Sequence, residues 1–204
     1  SRRPPPKPLN AAALRAETLS RVRLSSEIAG LPEGHCLPAL TEIDDRLAGK
    51  LFKATWIRLN GVRDISVNAA KHIARKKGRI ELNGLRTLSD EVSECLGKHQ
   101  GELALNGLPY LSDVAATNLC LHVVALEFNG LEEVTESTAA TLAAFDGRLE
   151  LNGVRTLSDS VAEALSNHEG SLGLRGVTNL TDDAAASLST HVGWGPNRPG
   201  SARL

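Results

Sequence analysis

The sequence predicts an α/β fold of the solenoid type, with short parallel strands on one side and helices on the other. Three observations favour it. The phrase IELNGLRTLSDE at residues 80 to 91 returns as LELNGVRTLSDS at residues 149 to 160. Asn-Gly recurs every 23 residues from Asn60 to Asn152, with Arg175-Gly176 in the sixth place. Apolar residues precede each of these pairs at alternating positions. A strict period of this size indicates stacked units, because a single unit cannot bury its own apolar face.

Each unit is predicted to begin with a very short strand. An apolar-x-apolar pair precedes every Asn-Gly or Arg-Gly, and this period of two is typical of a strand. The pairs are Ile57/Leu59, Ile80/Leu82, Leu103/Leu105, Leu126/Phe128, Leu149/Leu151 and Leu172/Leu174. Asn-Gly then ends the strand, because both residues tolerate the positive φ of a tight turn.

A helix of about ten residues is predicted after each turn. The hydroxyl residues expected to cap the helix N-termini are Ser66, Ser89, Ser112, Thr135, Ser158 and Thr181. Five of the six precede an acidic residue, which suits the positive end of a helix dipole. The helices are expected to stop near glycines in the left-handed capping conformation, namely Gly78, Gly101, Gly147, Gly170 and Gly193.

The unit L-x-L-N-G-[LV]-x-x-[LI]-[ST]-D resembles a leucine-rich repeat. Its order is closest to the cysteine-containing class of that family, with Leu or Val in place of the Cys, and it is similar to short tandem repeats of some bacterial proteins. The resemblance covers residues 57 to 193. It implies a leucine-rich-repeat solenoid with concave strands, convex helices and protein binding on the concave side. The short period and the missing ladder Cys or Asn depart from the family pattern.

The chain is divided into four predicted segments. Residues 1–9 are a Pro-rich basic arm, and residues 10–56 are an N-terminal helical cap that includes a degenerate repeat. Residues 57–193 hold six repeats of 23 residues, and residues 194–204 are a C-terminal tail in which Trp194 is a candidate end plug. The chain contains no Met and begins at Ser1, which suggests a processed product or a fragment of a larger protein.

The cysteines, the apolar runs and the charge distribution limit which cellular compartments and partners are expected. Cys36, Cys95 and Cys120 form neither a C-x-x-C pair nor a zinc-ligand spacing, so reduced thiols are expected, which favours the cytoplasm without fixing it. No apolar run is long enough to predict a membrane span. Residues 1 to 80 hold 16 Lys and Arg against 7 Asp and Glu, whereas residues 81 to 204 hold 7 against 17. The two ends of the chain are therefore oppositely charged.

The sequence predicts no enzyme, no cofactor and no metal site. Ser89, Asp90 and His99 carry the residue types of a nucleophilic triad, but ten helical residues separate Ser89 from His99 by about 15 Å. One position of the repeat is occupied by His99, His122, His168 and His191. Stacking would align these rings as a metal ladder, but Lys76 and Phe145 take the same position in the other two repeats, so a structural interpretation is favoured.

A non-catalytic protein-binding or scaffolding module is the predicted function, because outward positions vary while the framework repeats. The predicted partner-binding residues are Arg58, Glu81, Glu102, Tyr110, Glu127, Arg148 and Glu150. Tyr110 is the only Tyr, and an exposed aromatic residue is a typical hot spot. The Asn position could also present a row of amides to a ligand, although turn chemistry explains Asn before Gly by itself.

Two alternatives remain open at this point. One is a structural spacer, or a segment that self-assembles head to tail in a salt-sensitive way through its oppositely charged ends. The other is binding of nucleic acid or another polyanion at a basic patch of Lys71, Arg75, Lys76, Lys77 and Arg79. A basic helix C-terminus is the simpler interpretation of that patch, and nucleic acid is the less favoured partner, since no aromatic residues interleave with the patch.

Overall fold

The computed structural model describes residues 35–36, 42–43, 56–122 and 124–191. All of them lie in one compact unit, Glu33–Leu204. The predicted basic arm, most of the predicted cap and the tail with Trp194 lie outside the described residues.

Nine strands and six helices are found among the described residues. The strands are β1 (His35–Cys36), β2 (Glu42–Ile43), β3 (Ile57–Arg58), β4 (Asp64–Ile65), β5 (Ile80–Glu81), β6 (Glu102–Ala104), β7 (Ala125–Glu127), β8 (Arg148–Glu150) and β9 (Leu172–Gly173). The helices are α1 (Val67–Ala74), α2 (Asp90–Gly97), α3 (Asp113–Leu119), α4 (Glu136–Ala143), α5 (Asp159–Ser166) and α6 (Asp182–Ser189). None of these helices has the length and apolar character needed to cross a membrane.

The strands form parallel sheets, which confirms the predicted α/β class. Seven strands pair in the order β1-β3-β5-β6-β7-β8-β9, and β2 pairs separately with β4. Ile80 pairs with Leu103, and Leu126 pairs with Leu149, so partners lie 23 positions apart. In the first pair His35 lies opposite Ile57, which is 22 positions away. The strand register therefore follows the sequence period.

Aliphatic rows form the core beneath this sheet. Leu82, Leu105 and Leu151 occupy the same position of successive periods and are fully buried, as is Phe128 between them. The helices contribute smaller side chains, including the fully buried Ala116. Small residues let each helix approach the sheet closely, and burial of the aliphatic rows is the main favourable term for folding.

The predicted helix N-caps are confirmed at all six positions. In α3, for example, Ser112 Oγ accepts a hydrogen bond from the Ala115 backbone N–H at 3.1 Å. The same bond occurs at the other five caps, where the capping residue has extended backbone angles. Each cap satisfies one of the N–H groups that a helix start leaves without an intrahelical partner.

The predicted helix ends are wrong in length and in mechanism. The helices are seven or eight residues long instead of about ten, and α2 ends at Gly97 with the C-cap Lys98 in right-handed geometry. The Lys98 N–H bonds to the Cys95 carbonyl at 3.3 Å, so the last turn tightens and closes without a left-handed glycine. At Gly101, Gly147 and Gly170 the φ angle lies outside the left-handed region, whereas the predicted cap Gly193 lies outside the described residues.

Space explains the recurring glycines better than backbone conformation does. An added Cβ at Gly130 would overlap the carbonyl oxygen of Asn106 on the neighbouring strand's turn, and Gly130 also has no left-handed φ. At Gly170 an added Cβ would overlap the Gly147 carbonyl oxygen. The prediction that Asn-Gly serves a positive-φ turn is therefore wrong for this glycine. Close approach of successive backbones excludes a side chain there.

Candidate functional site

A cluster of charged side chains covers one side of the sheet. Leu103, Leu126 and Leu149 are fully buried on the core side. Successive side chains of a strand point to opposite faces, so the residues that flank these leucines face away from the core. We call the following set the ionic face: Arg58, Arg79, Glu81, Glu102, Glu127, Arg148 and Glu150.

Arg79 is the centre of the ionic face. Its guanidinium bonds to both carboxylate oxygens of Glu127, at 2.7 and 2.9 Å, and to Glu102 at 2.7 Å. Its Nε also donates to Glu81 Oε1 at 2.9 Å. One arginine thus links three neighbouring strands, β5, β6 and β7. Arginine suits this role because its planar fork of donors matches carboxylates in a bidentate way.

Two alanines make this long reach possible. Arg79 stands just before β5 and Glu127 stands on β7, two strands away, so the pair spans roughly 10 Å of sheet. Ala104 on β6 and Ala125 on β7 occupy outward positions beside this pair, and both are almost fully buried, at 0% and 2% exposure. Larger side chains there would obstruct the arginine. The two alanines therefore lie beneath the ionic face and leave room for the Arg79 side chain.

The remaining pairs extend the ionic face in both directions. Arg58 lies 3.0 Å from Glu81, and its guanidinium also lies over the Trp56 ring at 4.2 Å from the ring centroid. On the other side Arg148 lies 3.5 Å from both Glu102 and Glu127. The strands bring together five of the seven predicted partner-binding residues, and they pair them mainly with one another and with Arg79.

This pairing keeps the carboxylates ionised. Hydrogen bonds from Arg79 lower the pKa of Glu127, against a smaller opposing effect of burial. Burial raises the pKa of Glu81, but bonds from Arg79 and Asn60 and the charge of Arg58 outweigh it, so that pKa is also lowered. The bond to Glu127 raises the pKa of Arg79 further above neutral pH. All three groups therefore stay charged throughout the physiological pH range.

Glu150 and Tyr110 stand apart from the Arg79 network. Glu150 lies opposite Glu127 in the register of β7 and β8, and its carboxylate accepts a bond from Asn152 Nδ2 at 2.7 Å. The ionic face holds three arginines and four glutamates, so its net charge is −1. Arg58, Arg79 and Arg148 pair with the other three glutamates, which leaves Glu150 on β8 as the excess negative charge. Tyr110 is 64% exposed and lies after the Asn106-Gly107 turn, outside the strands.

The asparagines form a ladder beside the ionic face. The side-chain Oδ1 of Asn83 accepts the Asn106 backbone N–H at 3.0 Å, and Asn106 Oδ1 accepts the Asn129 N–H at 2.8 Å. The pattern continues until Asn152 accepts the N–H of Arg175 at 2.9 Å. The side-chain oxygens thus accept hydrogen bonds from the neighbouring backbone, a role that neither the turn chemistry of Asn before Gly nor a row of amides presented to a ligand predicts.

The structure separates Arg79 from the rest of the predicted basic patch. Lys71, Arg75 and Lys77 are exposed along and after α1, whereas Lys76 is only 5% exposed. Burial lowers the pKa of Lys76 to about 8. Arg79 instead belongs to the ionic face, because its side chain is neutralised by carboxylates of three strands.

The histidine position forms a buried ring column. Neighbouring ring centroids lie 5.6 to 6.4 Å apart in the order His99, His122, Phe145, His168, His191. His99 Nε2 lies 2.8 Å from the Gly78 carbonyl oxygen, and burial lowers the pKa of His99 and brings that of His122 to about 4. Among the described residues, no group of three or more His, Cys, Asp or Glu side chains is placed to hold a metal ion.

Two features of the site had a signal that sequence reasoning missed. Arg79 and Glu102 stand 23 positions apart, as do Arg58 and Glu81, so the period itself placed opposite charges beside one another. The sixth position, Arg175, lacks the Asn side chain and joins the ladder through its backbone N–H.

Comparison with known proteins adds no relative to this description. No family model matches the chain, and no curated protein matches it. Function is therefore inferred from the residues of the chain itself.

Proposed function

We propose that this chain is a non-catalytic leucine-rich-repeat module, a solenoid whose strands line the concave side, and that it binds or scaffolds another protein there. The observation that carries the proposal is the ionic face, an ordered array of arginines and glutamates on adjacent parallel strands. Support for the solenoid comes from the 23-position register through β3 to β9 and from the resemblance of the sequence unit.

A protein partner suits this surface better than a small substrate does. The ionic face is a broad array of mixed charges with Arg58 stacked on Trp56, and arginines and aromatic residues are enriched at protein interfaces. Its side chains are held by ion pairs before any partner arrives, so little side-chain entropy is lost on binding. Fixed charges of both signs favour specificity and a single orientation.

The same pairing argues against catalysis on the ionic face. A general acid or base needs a pKa near the working pH, whereas Glu81 and Glu127 have lowered pKa values and stay ionised. Arg79 keeps its proton at any physiological pH. These groups position and recognise charge instead of transferring protons.

The partner is expected to place a cation near Glu150. Glu127 is compensated by Arg79, so the excess negative charge of the ionic face lies at the β8 end. Tyr110, at 64% exposure, offers an aromatic contact that would be buried on binding. A Lys-bearing or Arg-bearing segment of the partner would satisfy this end.

Site-specific photo-crosslinking in extracts of the source cells tests the proposal. A photoreactive residue at position 150 is expected to trap a distinct partner band, while the same residue at position 163, an exposed glutamate on α5, is not. With the purified partner, the Glu150→Gln variant is expected to bind about tenfold more weakly at unchanged thermal stability. The Glu163→Gln variant is expected to bind with unchanged affinity. Equal trapping at both positions, or none at 150, would remove the strand side as the binding surface.

A further inference from the structure

A basic groove runs between α1 and α2, on elements that the ionic face does not use. It has a volume of about 750 Å³. Four of the five residues of the predicted basic patch line it, namely Lys71, Arg75, Lys76 and Lys77. Lys98, the C-cap residue of α2, adds a fifth cation.

The net charge of the lining is positive even after opposing effects are subtracted. Five Lys and Arg side chains face two carboxylates, Glu91 and Glu94, which leaves three positive charges. Glu94 is already paired with Lys98 at 2.7 Å. The C-terminal ends of two helices contribute about −0.5 each, so roughly two positive charges remain. Complementing the helix dipoles therefore accounts for only part of the basic character.

The floor of the groove is partly apolar, and one of its cations is desolvated. Ala74 and Cys95 are buried, at 7% and 6% exposure. Lys76 is 5% exposed, and its burial lowers the pKa of its ammonium group to about 8. A cation held in low dielectric attracts an anion more strongly than a cation in water does. An anionic ligand with an apolar part matches both the rim and the floor.

We propose that the basic groove binds a small molecule that carries two or more negative charges, of the class of multiply phosphorylated organic compounds. The volume of the groove lies in the range of small-molecule pockets, about 300 to 1,000 Å³. Arg75 supplies a bidentate donor pair and the lysines supply point charges, which is the combination that recognises phosphate. The lining contains no aromatic side chain, so stacking of a single-stranded nucleic acid is not provided for.

Titration calorimetry with sodium pyrophosphate and tripolyphosphate, at constant ionic strength, tests this assignment. The unmodified chain is expected to bind both, tripolyphosphate more tightly. The double variant Lys71→Gln, Arg75→Gln is expected to lose at least tenfold in affinity. A matched double variant, Arg63→Gln, Arg155→Gln, removes the same charge from exposed positions that do not line the groove and is expected to bind within twofold of the unmodified chain.

A second measurement places the ligand independently of affinity. On addition of tripolyphosphate the backbone amide resonances of Val67 and Cys95 are expected to shift, and those of Val161 and Leu165 on α5 are not. Absence of binding at about 10 mM tripolyphosphate, tenfold above a dissociation constant of about 1 mM, would overturn the proposal. So would equal loss in both double variants, or tighter binding of a glutamate-rich peptide of equal charge, which would assign the groove to an acidic protein segment.

Discussion

At the scale of single residues, one asparagine position decides how neighbouring strands are joined. Each Asn Oδ1 accepts a backbone N–H 23 residues further along, as Asn129 does from Asn152 at 3.0 Å. Without that acceptor the N–H of the next turn would be half-buried and unpaired, which costs more than the bond itself contributes. Asn is therefore selected at this position for its side-chain carbonyl.

Replacing Asn129 by Ala is expected to lower the free energy of unfolding by about 1 to 2 kcal/mol, because it leaves the Asn152 N–H without its acceptor. The midpoint of thermal unfolding should fall by about 2 to 8 °C for a chain of this size. Arg175→Ala is the control, since Arg175 is exposed and joins the ladder only through its backbone N–H. Equal losses in both variants would contradict the ladder role.

Residue identities were predictable where a local rule fixes them. Ser112 and Thr181 were identified as caps because a hydroxyl before an acidic residue marks a helix start. Arg79 was assigned to a basic patch because its neighbours along the chain are basic, yet its partners Glu102 and Glu127 lie 23 and 48 positions away. Long-range pairing depends on the spacing of strands, which local charge counting ignores.

At the scale of elements, the connections from α2, α3, α4 and α5 to the next strand each carry a buried ring, whereas Lys76 takes this position after α1. His99 directly follows the C-cap Lys98, and Phe145 directly follows the C-cap Ala144. Both residues are almost fully buried, at 1% exposure. The glycines predicted as helix caps have a different role. An added Cβ at Gly101, Gly147 or Gly170 would overlap both a ring of the column and a backbone carbonyl oxygen of the preceding period.

The column predicts a loss of stability in mild acid. Burial, and to a smaller extent the charge of His99, lowers the pKa of His122 to about 4. In the unfolded chain the pKa of His122 is near 6.5, so between pH 6.5 and 4 the unfolded chain binds more protons at this residue than the folded chain does. The free energy of unfolding is therefore highest above pH 6.5 and falls as the pH is lowered from 6.5 to 4. His122 alone is expected to lower it by about 2 kcal/mol between pH 6.5 and 5. Urea unfolding at successive pH values measures the slope.

The variant His122→Phe separates the ring column from the acid response of the carboxylates. Phe145 shows that the position accepts phenylalanine, and a phenyl ring cannot be protonated. Between pH 6.5 and 5 the paired carboxylates Glu81 and Glu127, whose pKa values are lowered, remain ionised. A shallower slope in the variant is expected in that interval. The same slope in both proteins would show that His122 is not the titrating group.

At the scale of the whole molecule, the sequence period predicted more than individual residues did. The parallel register of β5 to β8 follows from stacking equal lengths of chain, since Leu103 must lie opposite Leu126 if each period occupies the same space. Helix length did not follow, because the last turn of α2 closes at Lys98, three residues before Gly101. The period determines the spacing at which strands and helices recur along the chain, whereas local packing determines the residue at which each helix ends.

Deleting one complete period tests the proposed solenoid directly. Removal of residues 130–152 joins Asn129 to Gly153, keeps the Asn-Gly sequence and lets β7 meet β9. If layers contact only their neighbours, the shortened chain retains its far-ultraviolet circular dichroism per residue and loses only one layer's contribution to stability. Removal of residues 130–141 breaks the period, puts Asn129 before Leu142 and is expected to abolish cooperative unfolding. A closed fold predicts otherwise, because either deletion would then remove contacts throughout the core and unfold the chain.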